Sequence, residues 1–489
     1  MTGTGGPIPI ADPPALPAWV LGCVATVAVG VLYAPWIIEP HIRYDDFNFL
    51  TNSRTLSEMR DHLWQPMNEH VMPLARFAAG VLMQLVPRQS AIPLAAQSQG
   101  VLAVVLGMWL LYLFVRRELA HPLYGVVAMT VWGVTSTYYE CVTWYSASFF
   151  TLALDMTLLA LLAAQSYRRG RCWYALAGCA LCCALAPAFH GTALLAGAWC
   201  ALYLVYKEPD DRREHARRRR HVALAAVPLL GTSAFLAASL AATSGQIVRA
   251  EHYRGKTVFG AFDLREGLQN TLRTLADNQV AGAFGIWDRH STFSWPAVLG
   301  VVLGLVLLGL LWWRAAPRRR LLVVGLSVTL ASDVLVYGAR ADWGYDRTVH
   351  NWTRYHLFPH LGLVLFAIGG LPRFEGRWFA LPSAKGLSRR QSVALLGLIV
   401  AMVAVHRPRS HGLHFSAPPE QTALLLRVER MDARCRSARI DPVTARQALG
   451  FVQFPLAFEG DNAWDFLRCS STSVPMSAAQ ATALLTPEH

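Results

Sequence analysis

The feature that most constrains this chain is a succession of apolar blocks, each about 17 to 22 residues long, joined by short polar connections. A helix of that length crosses a ~30 Å hydrocarbon core, where only a helix or a closed barrel satisfies its own backbone hydrogen bonds. Blocks of this kind fall at about 17–39, 94–114, 122–138, 148–166, 172–187, 191–206, 221–243, 295–314, 321–338, 355–371 and 391–406. Only 15% of the 489 residues are charged, against about a quarter in a soluble chain. The expected fold is therefore an all-α polytopic membrane protein, a bundle of about eleven transmembrane helices.

The net charge of +13 suggests a nucleic-acid partner, but its distribution excludes one. Arginines gather in alternate connections, at Arg116-Arg117, Arg168-Arg169, Arg212 to Arg220, Arg314 to Arg320 and Arg373 to Arg390, whereas 139–147 and 187–191 carry none. That alternation is the positive-inside signature of membrane orientation. It puts the N-terminus inside, provided 71–87 lies along the interface as an amphipathic helix rather than crossing. No cleaved signal peptide is expected, because the first block lacks a basic leader. The stretch 172–207 has arginine-rich text at both ends, so it reads as a hairpin with Pro187 and Gly191 at its turn and His190 at its outer tip.

This topology places 40–93, 139–147, 244–294 and 339–354 on one external face, within a catalytic unit spanning 1–405. The remaining 406–489 reads as a small external C-terminal domain of unknown role. Cys23, Cys179, Cys182, Cys183 and Cys200 lie in apolar blocks and read as small hydrophobes without a metal-ligand partner set. Cys435 and Cys469 fall in the polar tail, where a disulfide and two free thiols are both open.

Polar residues suited to chemistry collect on the external face. The first loop holds Asp45, Asp46, Asn68, Glu69 and His70; the second holds Glu140 and Trp144; His190 sits at the hairpin tip. The segment before the tenth span adds His350, Arg354, Tyr355 and His356. Carboxylates, an arginine and aromatics on one membrane face suit a lipid-phosphate substrate. A guanidinium grips the phosphate, and a carboxylate takes a proton from an attacking hydroxyl. The same residue types also serve as solvated helix caps and snorkelling anchors, so composition alone leaves both readings open.

Three stretches narrow the choice. Tyr44-Asp45-Asp46-Phe47, with Asn68-Glu69-His70 and Pro73-Leu74 after it, resembles the first-loop acidic motif of the GT-C class of membrane glycosyltransferases. Glu140 to Trp144 is similar to the Glu-x-Val-x-Trp element of the dolichyl-phosphate-mannose O-mannosyltransferase branch. Thr353 to Pro359 resembles that branch's Glu-Arg-Tyr-Leu-Tyr-Leu-Pro element. The likeness covers about residues 15 to 405 and implies a GT-C-like bundle. It implies Asp45 as the base, Asp46 as its orienting or cation-binding neighbour, Glu140 as the second-loop carboxylate and Arg354 as the phosphate contact. The implied partners are a polyprenyl-phosphate-linked sugar donor, a glycan, lipid or protein acceptor, and the bilayer. No cofactor and no resident metal are expected. Thr353 in place of Glu, and Ala147 to Phe150 in place of Gly-Arg-x-Asp, leave the sugar unassigned.

The expected activity is inverting transfer of a monosaccharide on the outer face of a bacterial-type inner membrane, with Asp45 kept ionised by Arg43 or Arg347. A transferase or ligase for another lipid-linked group is the first alternative. A flippase or transporter is the second, with Asp155 and Asp333 as the ionisable groups inside spans.

Overall fold

The computed structural model describes residues 16–67, 70–170, 172–206, 218–243, 262–283, 294–315, 318–339, 353–371, 387–412, 419–456, 461–469 and 475–485. Among these every regular element is a helix, and the only extended pairings are isolated bridges. The first eleven α-helices are α1 (Ala18–Leu32), α2 (Ala34–Ile38), α3 (Asp45–Thr51), α4 (Leu56–His62), α5 (Pro73–Leu85), α6 (Ile92–Leu119), α7 (Pro122–Gly133), α8 (Tyr139–Thr143), α9 (Tyr145–Gly170), α10 (Trp173–Phe189) and α11 (Ala196–Val205). Later helices are named by their residues.

Among the described residues six helices are long and apolar enough to cross a bilayer: Gln89–Leu119, Tyr145–Gly170, Leu224–Ala242, Trp295–Trp313, Arg319–Ala339 and Arg389–Pro408. Each of the other expected spans coincides with a shorter helix. Local chemistry shortens them. Tyr33 and Pro35 divide 17–39 into α1 and α2, and α7 ends at Gly133 where the chain turns toward the second loop. Proline opens α5, α6 and α7 at the first turn, where its missing N–H is no loss.

Small residues let the helices approach closely. A Cβ on Gly325 would lie 2.5 Å from the carbonyl oxygen of Gly362, so Arg319–Ala339 and Leu357–Gly370 meet backbone to backbone. The helix Trp295–Ala315 does the opposite. Its Leu299, Leu303, Leu307 and Leu310 are all more than half exposed, an apolar stripe that hydrocarbon and not water would accommodate.

Helix α5 has 13 residues, about 20 Å, and falls short of a ~30 Å core. It exposes Phe77, Val81 and Leu85 at i, i+4, i+8 and buries Ala75, Arg76, Ala79 and Met83. The segment around Leu264–Thr274, expected as loop, is a helix whose Gly267 lies against Gly338 of Arg319–Ala339.

The last long helix runs on to Gly412, so residue 406 lies inside a helix. The tail also shares one apolar core with the first loop: Phe47 packs 5.4 Å from Phe454 and 5.2 Å from Phe466 between ring centroids. Cys435 and Cys469 form a disulfide across 34 residues of sequence.

Candidate functional site

The site is built where the first loop meets the second. After α2 the chain runs through buried His41, Ile42 and Arg43 to Tyr44, whose φ of 46° is in the left-handed region that a bulky residue adopts only under constraint. The constraint comes from the tail. The Tyr44 N–H donates to the carbonyl of Leu456, and the Gln421 side chain both accepts from the Ile42 N–H and donates to its carbonyl, each at 2.8 Å. The acidic pair follows at once, as the first residues of α3.

The two aspartates have different surroundings. Asp46 is 1% exposed, and its carboxylate accepts from the Ser146 N–H at 2.7 Å and the Arg43 N–H at 3.3 Å. It therefore ties the first loop to the start of α9. Burial raises its carboxyl to about 7 despite those hydrogen bonds and Arg43. Asp45 is only partly buried and lines a cavity of about 320 Å³. Burial raises its carboxyl too, and the Arg354 guanidinium pulls it back part of the way. The cation acting on Asp45 is thus Arg354; Arg43 acts on Asp46 and Glu140 instead, and Arg347 lies outside the described residues.

Helix α8 carries Glu140 to Arg354. The carboxylate accepts from Arg354 Nη1 at 3.3 Å and from its backbone N–H at 3.2 Å, while the Glu140 N–H donates to Thr353 Oγ1. Thr353, the departure from the mannosyltransferase element, is thus a strut between the two loops. Burial lowers the Arg354 guanidinium, but Glu140, Tyr355 and Asp45 outweigh it and leave it above its usual value. The Trp144 ring lies between two cations, with Arg354 4.6 Å and Arg43 5.0 Å from its centroid. Gly100 of α6 permits this arrangement, since a Cβ there would sit 2.4 Å from the Val142 carbonyl oxygen.

A histidine pair completes the cluster. The rings of His70 and His190 lie 4.4 Å apart, and His190 stacks on Phe150 at 3.5 Å, which in turn faces Tyr355 at 5.5 Å. Burial is the main cause that lowers both imidazoles, with Arg354 adding to it, and His70 falls to about 4. Both rings are neutral at neutral pH. His190 Nδ1 accepts from the Thr192 N–H, so the hairpin-tip residue also caps the turn after it.

The structure thus brings together Asp45, Asp46, Glu140, Trp144, Arg354, Tyr355, His70 and His190. Glu69 and His350 lie outside the described residues, as does Asn68. Sequence reasoning set Arg43 beside Asp45 rather than Asp46 and Glu140, and missed Thr353 and Gln421 as parts of the site. It also missed that Cys200 joins Cys179 and Cys183, their sulfurs within 4.8 Å of one another, which corrects the reading that these thiols have no partner set. No family model matches the chain, and no characterised protein is detectably similar to it in sequence.

Proposed function

We propose that this chain is an inverting glycosyltransferase of the GT-C class, acting on the outer face of a bacterial-type inner membrane. A polyprenyl-phosphate monosaccharide is the donor, and its phosphate is gripped by Arg354. The acceptor is a hydroxyl on a glycan, lipid or protein. Asp45 takes the hydroxyl proton as the acceptor oxygen bonds to the anomeric carbon from the face opposite the phosphate. The bond from that carbon to the phosphate oxygen breaks, and polyprenyl phosphate leaves with the electron pair. Because phosphate is already a good leaving group, one base suffices where glycoside hydrolysis needs two carboxylates.

The observation that supports this reading is the meeting of the first loop with Arg354 at the Trp144 ring, whose centroid lies 5.0 Å from Arg43 and 4.6 Å from Arg354, with the Arg354 charge acting on Asp45. An accessible carboxylate and a buried guanidinium from segments about 300 residues apart share one polar cluster. Asp46, with both oxygens engaged by backbone, is left to position its neighbour. The test is transfer by purified protein in nanodiscs from a panel of radiolabelled polyprenyl-phosphate sugars to membrane-extracted acceptors. Labelled product of inverted anomeric configuration is expected. Labelled product with retained configuration would overturn the inverting, single-base mechanism.

Asp155 and Asp333 favour a second reading, transport of a polyprenyl lipid. Both are buried in long apolar helices, and their carboxyl oxygens have no hydrogen-bond partner among the described residues. Labelled lipid crossing sealed vesicles, lost in Asp155→Asn and Asp333→Asn but kept in Asp45→Asn, would favour transport over transfer.

A further inference from the structure

The cavity beside Asp45 holds a cation that the cluster around Arg354 does not use. Arg76, on the buried face of α5, is 3% exposed and lines the cavity. Its Nε and Nη1 are buried without a hydrogen-bond partner among the described residues, and its guanidinium lies 5.4 Å from the centroid of the Phe49 ring. Burial alone lowers it, to about 10, and among the described residues no carboxylate offsets the loss, so it is a cation at neutral pH. A buried guanidinium with no counter-charge is costly to the folded protein, and is expected where a ligand supplies the missing anion.

The rest of the lining fits such a ligand. Asp45 and Asn48 stand at i and i+3 on one face of α3, Asn52 caps its C-terminus, and His62 and Gln65 line the same cavity. Neutral amides and an imidazole can bond sugar hydroxyls and phosphate or carboxylate oxygens alike. A volume of about 320 Å³ lies at the small end for a ligand pocket, the size of one monosaccharide with a charged substituent. Glu140, Trp144, Arg354 and Tyr355 do not line this cavity, whereas Asp45 belongs to it and its raised carboxyl is pulled part of the way back by the Arg354 charge.

We propose that this cavity is the acceptor subsite, and that the acceptor carries an anionic group, a phosphate or a carboxylate, held by Arg76 while Asp45 faces its attacking hydroxyl. The name acceptor rests on the transferase reading above; the anion site itself does not. Asp45 is then the hinge of a two-sided site, with donor phosphate toward Arg354 and acceptor anion toward Arg76.

The test separates the two claims. Full-length protein in nanodiscs, without donor, is titrated with inorganic phosphate and separately with glucuronate, and the shift of its thermal unfolding midpoint gives an apparent affinity for each. At least one anion should bind the wild type. Arg76→Gln should weaken that binding tenfold or more, and Arg76→Lys, which keeps the charge, should weaken it less. The ratio of the two titrations tells phosphate from carboxylate. Binding equal in wild type and Arg76→Gln, or no binding of either anion, would overturn the anion site. In the transfer assay Arg76→Gln should raise the acceptor KM about tenfold and leave the donor KM unchanged. A rise in donor KM instead, or Arg76-dependent anion binding in a protein that transfers from no donor, would keep the anion site and overturn its role as acceptor subsite.

Discussion

Replacing Glu140 with glutamine tests whether Arg354 depends on the second loop. The pair is 3.3 Å long, and the side chains are only 8% and 12% exposed. At an effective dielectric of about 20, two unit charges at that separation attract by about 5 kcal/mol, which burial of the two ions largely offsets. The net value of the pair is therefore small, but losing one member leaves a buried charge without its ion-pair partner. Glu140→Gln and Arg354→Gln should each cost about 3–5 kcal/mol, and the double variant only about 1–2 kcal/mol beyond wild type. The four proteins are compared by denaturant unfolding in detergent micelles, with the coupling energy taken from the double-mutant cycle. A coupling of about 4 kcal/mol or more is predicted. Additivity within about 0.5 kcal/mol would refute the reasoning, because it would mean that water or lipid headgroups already satisfy the guanidinium. The double variant should also fail to transfer sugar despite its restored fold.

Three further outcomes follow from the same geometry. Asp46 has a folded-state carboxyl near 7 against an ordinary 3.8, so the folded protein binds more protons across that window. Its contribution to stability is full below about pH 4 and lost as pH rises through 7, by roughly 4 kcal/mol. The difference in unfolding midpoint between wild type and Asp46→Asn should thus change between pH 5 and pH 8 in favour of the variant, and a change in the other direction would contradict the assignment. Reduction of Cys435–Cys469, which closes a loop of 34 residues, should cost about 4 kcal/mol by loop entropy, read from unfolding with and without reductant. Gln421→Leu should remove the amide clamp on Ile42 and lower kcat with little effect on KM for donor; unchanged kcat would show that the tail does not hold Asp45 in place.

The long apolar helices were legible because a bilayer imposes a length and a composition that the chain must display residue by residue. The turn between α10 and α11 was legible at Gly191, whereas Pro187, expected at that turn, lies inside α10, which runs on to Phe189. The cluster could be anticipated because the alternation of arginine-rich connections groups the loops that hold Asp45, Glu140 and Arg354. What joins the loops was not legible. The Asp46–Ser146 bond spans 100 residues and the Gln421–Ile42 clamp spans 379, and neither leaves a periodic trace in the text. Arg76 sits in a stretch that reads as an amphipathic helix, where an arginine is expected on the wet face. That it is buried follows from how α5 packs against α3, a tertiary fact.

Single-turnover transfer tests the central claim most directly, that Asp45 takes the acceptor proton in a site it shares with Arg354. Wild type and Asp45→Asn, both shown to be folded and to bind donor equally, are mixed with saturating labelled donor and acceptor, and the first turnover is timed across pH. The account predicts a loss of at least a hundredfold in Asp45→Asn, and a wild-type rate that falls on acidification through a raised carboxylate pKa. An equal first-turnover rate in Asp45→Asn would remove Asp45 as the base and the account with it.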